Sequence, residues 1–394
     1  MMKLYRRFTY VFLATTLAPV LGIGLFNFAI DPYGIFNSIE LDKINSEKPE
    51  KVSQDRLFKA LDITRLKPEI VVLGSSRVQW GIDTRHPIFN LDQNPYNLGL
   101  NGVSMYEILR YFEHTQVNQK NLNLAIIGTD LIMFLNKDSE NTVKTFKEER
   151  LGKTGLTFND LKEVLFSLNV SYDSYKTISK NQYARESFEY FERGFYVRPK
   201  ETSFPGSVKN FNKWIKKDWE KAWQSEGSIK ISEENLQITE NLIFFEKLVE
   251  IAQNQEIDLY VFIPPVHAIY LEKYSMEGSW SGFENLKRQL VKIAPVWDFS
   301  GYNSITTEPI QEQMNNYIDS SHYSKEVGDL ILNRIFDYQT ETVPDDFGVL
   351  LTPDNIEAHL EKIRRDRELW VKNNPEAVQL LLDIKSEVAG TEKN

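Results

Sequence analysis

Ile70-Val71-Val72-Leu73-Gly74-Ser75-Ser76-Arg77 decides the fold: an unbroken apolar run meets a glycine and two serines. Such a run, bounded by turn residues, reads as a strand buried on both faces and ending in a tight turn. A turn of this kind lifts a serine hydroxyl out of a sheet edge, where a carbonyl group can reach it. Ser76 is therefore the candidate nucleophile. Its hydroxyl lies beside the first turn of the following helix, whose free N–H groups and positive dipole end suit a developing oxyanion. Taken alone, Gly-Ser-Ser is ordinarily just a turn, and its weight comes from a second segment far downstream.

That segment is Asp319-Ser320-Ser321-His322, directly before an amphipathic helix. A hydroxyl is a weak nucleophile until an imidazole takes its proton, and the imidazole needs a carboxylate to hold the useful tautomer. Asp319 one turn before His322 lets a single loop supply both. Asp83-Thr84-Arg85-His86 has the same spacing, but it follows Ser76 so closely that the chain cannot easily bring the two together. The later pair is preferred.

Outward from these segments the chain alternates strands and helices, the pattern of an α/β fold with a mainly parallel sheet. Strands are expected at 68–73, 96–100, 122–128, 259–263 and 296–299, which makes a five-stranded sheet in a three-layer sandwich. Helices are expected at 104–116, 236–253, 283–293 and 325–336. The chain divides into residues 1–36 as a basic stub and membrane anchor, and 37–136 as the first part of the α/β domain. Residues 137–235 form a mostly helical insertion, 236–340 the second part of the domain, and 341–394 a charged helical tail.

Within the insertion, Phe188, Tyr190, Phe191, Phe195 and Tyr196 either pack a small core or stack on sugar rings. In the tail, Ile356, Leu360, Ile363 and Leu369 form the apolar stripe of an otherwise solvated helix, and the tail is expected to pack on the domain or reach a partner. The formal charge of -10 argues against a nucleic-acid partner. Absence of cysteine excludes thiolate catalysis and disulfides. Neither metal-site spacing nor a Gly-rich phosphate loop occurs, so no metal and no cofactor is expected.

Residues 8–30 carry no charge and follow Lys3, Arg6 and Arg7. As a helix they extend about 35 Å against a hydrocarbon core of about 30 Å, enough to span a bilayer. The basic residues favour a cytoplasmic N-terminus, with the bulk of the chain outside the cytoplasm, in the periplasm or on the cell surface. The rival is a cleaved signal peptide, which normally has a shorter apolar region and a small-x-small cleavage site.

Further positions complete the candidate site. His267, at the carboxyl end of the fourth expected strand, is placed to touch a ligand or is an ordinary loop histidine. Arg77 pairs with Asp130 or binds an anionic substrate. Asn101 lines the oxyanion pocket or serves a turn.

The order and placement of these blocks resemble the SGNH/GDSL hydrolase superfamily over roughly residues 65–135 and 240–337. Ser76 takes the nucleophile's place, with Ser75 where better-known members have Asp. Gly102, in Asn97-Leu98-Gly99-Leu100-Asn101-Gly102, fits the second block, whose glycine N–H helps bind the oxyanion. Asp319 and His322 fit the last block. In the third block, Ile127-Gly128-Thr129-Asp130 puts Thr129 where the superfamily has Asn, a departure that touches the third oxyanion donor. With its anchor, the chain looks most like the cell-envelope branch that includes teichoic acid D-alanyl transfer and exopolysaccharide O-acetylation proteins. That resemblance implies acyl transfer or ester hydrolysis through a serine acyl-enzyme on a carbohydrate or envelope polymer. The alternative is an inactive, membrane-tethered glycan-binding or scaffold protein partnering a membrane-bound acyltransferase.

Overall fold

The computed structural model describes residues 2–135, 146–183, 188–198, 208–224 and 236–391. Strand β1 (Ile70–Gly74) pairs in parallel with β2 (Tyr96–Gly99) on one side and β3 (Leu124–Gly128) on the other. A separate antiparallel hairpin joins β4 (Tyr190–Glu192) to β5 (Phe195–Val197). Strands β6 (Asp258–Ile263) and β7 (Val296–Asp298) continue the main sheet in parallel, and β8 (Val349–Leu351) closes it antiparallel. The order is β2-β1-β3-β6-β7-β8, six strands rather than the expected five.

Alternate residues of β1 enter different cores. Val71 and Leu73 join the helices Met105–Asn118, Leu236–Asn254 and Trp280–Ile293 on one face. Ile70 and Val72 join the helices Lys325–Ile335, Val208–Gln224 and Pro375–Thr391 on the other. Period-two side chains with apolar partners on both sides explain why this strand reads as a continuous apolar run. Helices therefore cover both faces of the sheet.

The tail is more than a solvated helix. It supplies β8, and its buried Trp370, Leu381, Ile384 and Val388 belong to the second core. Ile356, Leu360 and Ile363 are buried as expected, but Leu369 is exposed and its neighbour Trp370 turns inward instead. The insertion holds the helices Phe158–Phe166, Leu168–Lys180 and Val208–Gln224 together with the β4–β5 hairpin.

Among the described residues, one helix, Met2–Ile30, is long and apolar enough to cross a membrane. Its last turn is tied to the domain. Asn45 donates to the carbonyls of Ala29 and Ile30, and Lys48 donates to Ile30. These side chains satisfy carbonyls that the end of a helix leaves without internal partners.

Candidate active site

A row of glycines crosses the carboxyl ends of three strands, with Gly99 opposite Gly74 and Gly74 opposite Gly128. A Cβ at Gly74 or Gly128 would meet the Val78 side chain, and one at Gly99 would meet the Gln79 backbone. Only glycine lets the short helix Ser76–Gly81 lie so tightly on the strand ends. That helix leaves β1 toward one face of the sheet, whereas the chain after β3 returns by a helix on the other face. Ser76 thus stands beside a topological switch point, where open α/β sheets form their ligand crevice.

Ser75 caps the helix. Its Oγ accepts the Arg77 N–H at 3.4 Å and donates to Asp130 Oδ2 at 2.6 Å. The next hydroxyl, Ser76 Oγ, lies 2.8 Å from His322 Nε2 across 246 positions of sequence. Behind the ring, His322 Nδ1 sits 2.8 Å from Asp319 Oδ2 and 3.0 Å from Oδ1. Asp319 Oδ1 also accepts the N–H groups of Ser321 and His322. Burial alone would raise the Asp319 carboxyl. The adjacent His322 and these two N–H groups outweigh burial and hold it below its ordinary value. A fixed carboxylate selects the tautomer in which Nδ1 donates and Nε2 accepts from the serine.

The loop that delivers Asp319 and His322 is closed by a bridge between Tyr317 and Tyr323 and by a bond from the Ile318 N–H to the His322 carbonyl. His267 braces it, donating its backbone N–H to Ser320. The His267 side chain is buried, capping the helix Ala268–Met276 through Nδ1 and meeting the Glu308 carbonyl through Nε2. Burial lowers its pKa to about 4, against the bond to Glu308. His267 is therefore a neutral, satisfied core histidine that supports the loop, not the ligand contact considered from the sequence.

Arg77 takes the structural alternative. It is buried, pairs with Asp130 at 3.2 Å, and donates to Ser321 Oγ at 3.0 Å. One guanidinium thus joins the end of β3 to the histidine loop. Asp130 receives Ser75, Arg77 and the Met133 N–H, which fixes it as the partner of that staple.

The expected oxyanion donors divide. Ser76 is the first residue of its helix, so its N–H has no carbonyl one turn earlier to bind. Gly102 follows β2 in a left-handed turn, exposed at the same sheet end as Ser76. Asn101 has its N–H donated to Asp55 and its carbonyl bound by Arg56, so only its exposed side chain faces outward. Thr129 departs from the expectation. Its N–H and its hydroxyl both go to the Phe262 carbonyl, at 2.8 and 3.3 Å. As the continuation of β3, Thr129 is held by the ladder with β6, and the short side chain follows its own backbone.

Two aromatic residues that sequence reasoning missed enclose the His322 ring. Trp80 stacks flat on the His322 ring and Trp214 meets it edge-on, with centroids 4.0 and 6.1 Å away. Trp80 is held in turn by Tyr196 of β5, stacked at 5.5 Å, and by the Arg198 guanidinium 4.3 Å above it. The insertion aromatics hence pack a small core: Phe191 contacts Phe58 and Tyr196. Lys59, fully buried, anchors that hairpin by donating to the carbonyls of Asn97, Gly99 and Gly194.

The segment with the same spacing, Asp83-Thr84-Arg85-His86, forms its own cluster, with Asp83 paired to Arg85 and His86 near Asp329. Compared with protein-family models, characterised proteins and solved structures, the chain has no match.

Proposed function

We propose that this chain is a serine O-acyltransferase or esterase acting on acyl groups of a cell-envelope or exported polysaccharide, and a member of the SGNH/GDSL superfamily. One observation carries the proposal: Ser76 Oγ lies 2.8 Å from His322 Nε2, with Asp319 2.8 Å behind the ring. His322 takes the hydroxyl proton as Ser76 Oγ attacks the acyl carbonyl. The N–H groups of Ser76 and Gly102 hold the oxyanion. His322 then returns the proton to the departing alcohol, leaving the acyl group on Ser76. A sugar hydroxyl or water, deprotonated by the same ring, takes the acyl group and frees the serine. The polysaccharide substrate rests on the resemblance of the sequence blocks. The orientation, with the N-terminus cytoplasmic and the catalytic domain outside, rests on Lys3, Arg6 and Arg7 before the apolar helix.

Labelling with a fluorophosphonate tests this directly. Covalent modification at Ser76, abolished in Ser76→Ala and His322→Ala, is the expected result. A second reading, an inactive tethered scaffold for glycan or for a membrane-bound acyltransferase, draws on Thr129, whose two donors are taken by Phe262. Well-folded protein that stays unlabelled and turns over no acyl ester would favour the scaffold.

A further inference from the structure

The helices Phe158–Phe166 and Leu168–Lys180 bury Val164 and Val170 in a cluster with Tyr33, Ile35, Leu57 and Leu61, yet they also bury hydroxyls and leave aromatic residues exposed. In the second helix, Ser174 and Thr177 are fully buried, whereas Leu168, Tyr172 and Tyr175 are 74%, 63% and 64% exposed. Those three recur at i, i+4 and i+7, the spacing of one helix face. In the first helix, Phe158 is exposed, and Phe166 is partly exposed where its ring flanks Gly24. A helix pair surrounded by water normally turns its aromatic residues inward and its hydroxyls outward. A contiguous exposed apolar surface marks a contact site.

Both helices are packed against the end of the apolar helix. A Cβ on Gly24 would strike the Phe166 ring. Asn27, fully buried, donates to the Leu165 carbonyl at 2.8 Å and to Ser171 Oγ at 3.1 Å, and accepts from Ser174 Oγ at 3.0 Å. Just beyond, Tyr33 donates to Asp173 at 2.6 Å. The uncharged stretch 8–30 extends about 35 Å as a helix, so it exceeds a hydrocarbon core of about 30 Å by roughly three residues. Counted from Phe8, the first residue after Arg6 and Arg7, the surplus begins just past Asn27, the residue that both helices hold. Leu25 and Phe28 remain exposed on the same stretch, so the outward aromatic face continues the lipid-facing side of the anchor.

We propose that these two helices form a collar lying in the headgroup region of the bilayer that the first helix spans, with Leu168, Tyr172, Tyr175 and Phe158 facing lipid. Tyr is enriched at that depth because its ring is apolar and its hydroxyl is wet. With the anchor carbonyls capped by Asn45 and Lys48, the collar gives the domain a second membrane contact and fixes its tilt. The inference rests on the first helix spanning the membrane and is independent of the catalytic proposal.

The natural chain lacks cysteine, so single variants of the full chain can each carry one nitroxide. Leu168→Cys, Tyr172→Cys and Tyr175→Cys are to be reconstituted in phosphatidylcholine/phosphatidylglycerol vesicles. Leu13→Cys in the span and Lys362→Cys on the charged tail helix serve as references. Collisions with oxygen, relative to a water-soluble nickel complex, report depth. The collar labels should give a several-fold higher ratio than Lys362→Cys and a lower one than Leu13→Cys. Collar ratios equal to that of Lys362→Cys, with Leu13→Cys still deep, would overturn the collar and leave the anchor. Labels shielded from both probes would overturn it too, pointing to a second copy on the same face. Should the Leu13→Cys label itself be aqueous, anchor and collar would both fall.

Discussion

Trp80 lies flat against the His322 imidazole, with centroids 4.0 Å apart and planes inclined by 23°. Trp80 and Ser76 are four residues apart on one short helix, so the Ser76 hydroxyl and the surface stacked on His322 are carried by the same element. In the proposed mechanism the indole face also favours the imidazolium that forms on His322. An aromatic pair is worth about 0.5–1.5 kcal/mol. At about 1.4 kcal/mol per decade, Trp80→Leu should lower kcat on an acyl ester by roughly two- to twelvefold with little change in KM. Trp80→Phe, which keeps a ring over the imidazole, should recover most of the loss. Equal losses in both variants would show that the ring contact is not what matters.

Asp319→Asn keeps the shape of the loop and removes the charge behind His322. In a Ser-His-Asp triad the corresponding change lowers kcat by about 10⁴-fold, through the wrong tautomer. It should also alter acid stability. The folded Asp319 carboxyl is held below its ordinary value, so its stabilisation is complete above the unfolded value of about 3.9 and is lost only as pH falls through the lower folded value. Urea midpoints of wild type and Asp319→Asn, taken below pH 4, should converge as the pH drops.

Much of this architecture is legible in the chain because its physical causes are local. β1, β3 and the second half of β6 are buried on both faces, so each reads as an apolar run, and Gly74 and Gly128 punctuate the strands where a helix must pass close. β8 is hidden by its brevity. It is a three-residue edge strand with Val349 and Leu350 exposed, and pairing with β7, not composition, makes it a strand. The β4–β5 hairpin turns on Arg193-Gly194, both with positive φ, and arginine carries no turn signal of the Asn-Gly kind. Ser76, Asp319 and His322 follow from residue type and spacing. Trp214 does not, since it reaches His322 only through tertiary packing, whereas the i, i+4 relation of Ser76 and Trp80 was available to be read.

The Arg77–Asp130 pair is buried on both sides. Removing one member of such a pair strands the other charge and costs about 3–5 kcal/mol. Arg77→Met should therefore destabilise the protein by that order in chemical denaturation. Adding Asp130→Asn should restore part of the loss, because the uncompensated carboxylate is gone. Activity should recover less than stability in the double variant, since the bonds from Arg77 to Ser321 that hold the histidine loop remain absent.

His267 offers a separate pH signature. Burial lowers its pKa from 6.5 to about 4, so the folded protein keeps it neutral where the unfolded chain is already protonated. The sign follows: its support is complete above the unfolded pKa and declines as pH falls from about 6.5 to about 4, by about 3 kcal/mol in all. Below that window both states carry the proton and the slope ends. His267→Gln can still accept from Ile269 or donate to Glu308, yet it does not titrate. The difference in unfolding free energy between wild type and His267→Gln should therefore shift in favour of the variant as pH is lowered from 6.5 to 4. A difference that stays constant across that range would show that the folded imidazole takes up its proton at an ordinary pH, in conflict with its enclosure by Phe211, Tyr317 and the Glu308 carbonyl.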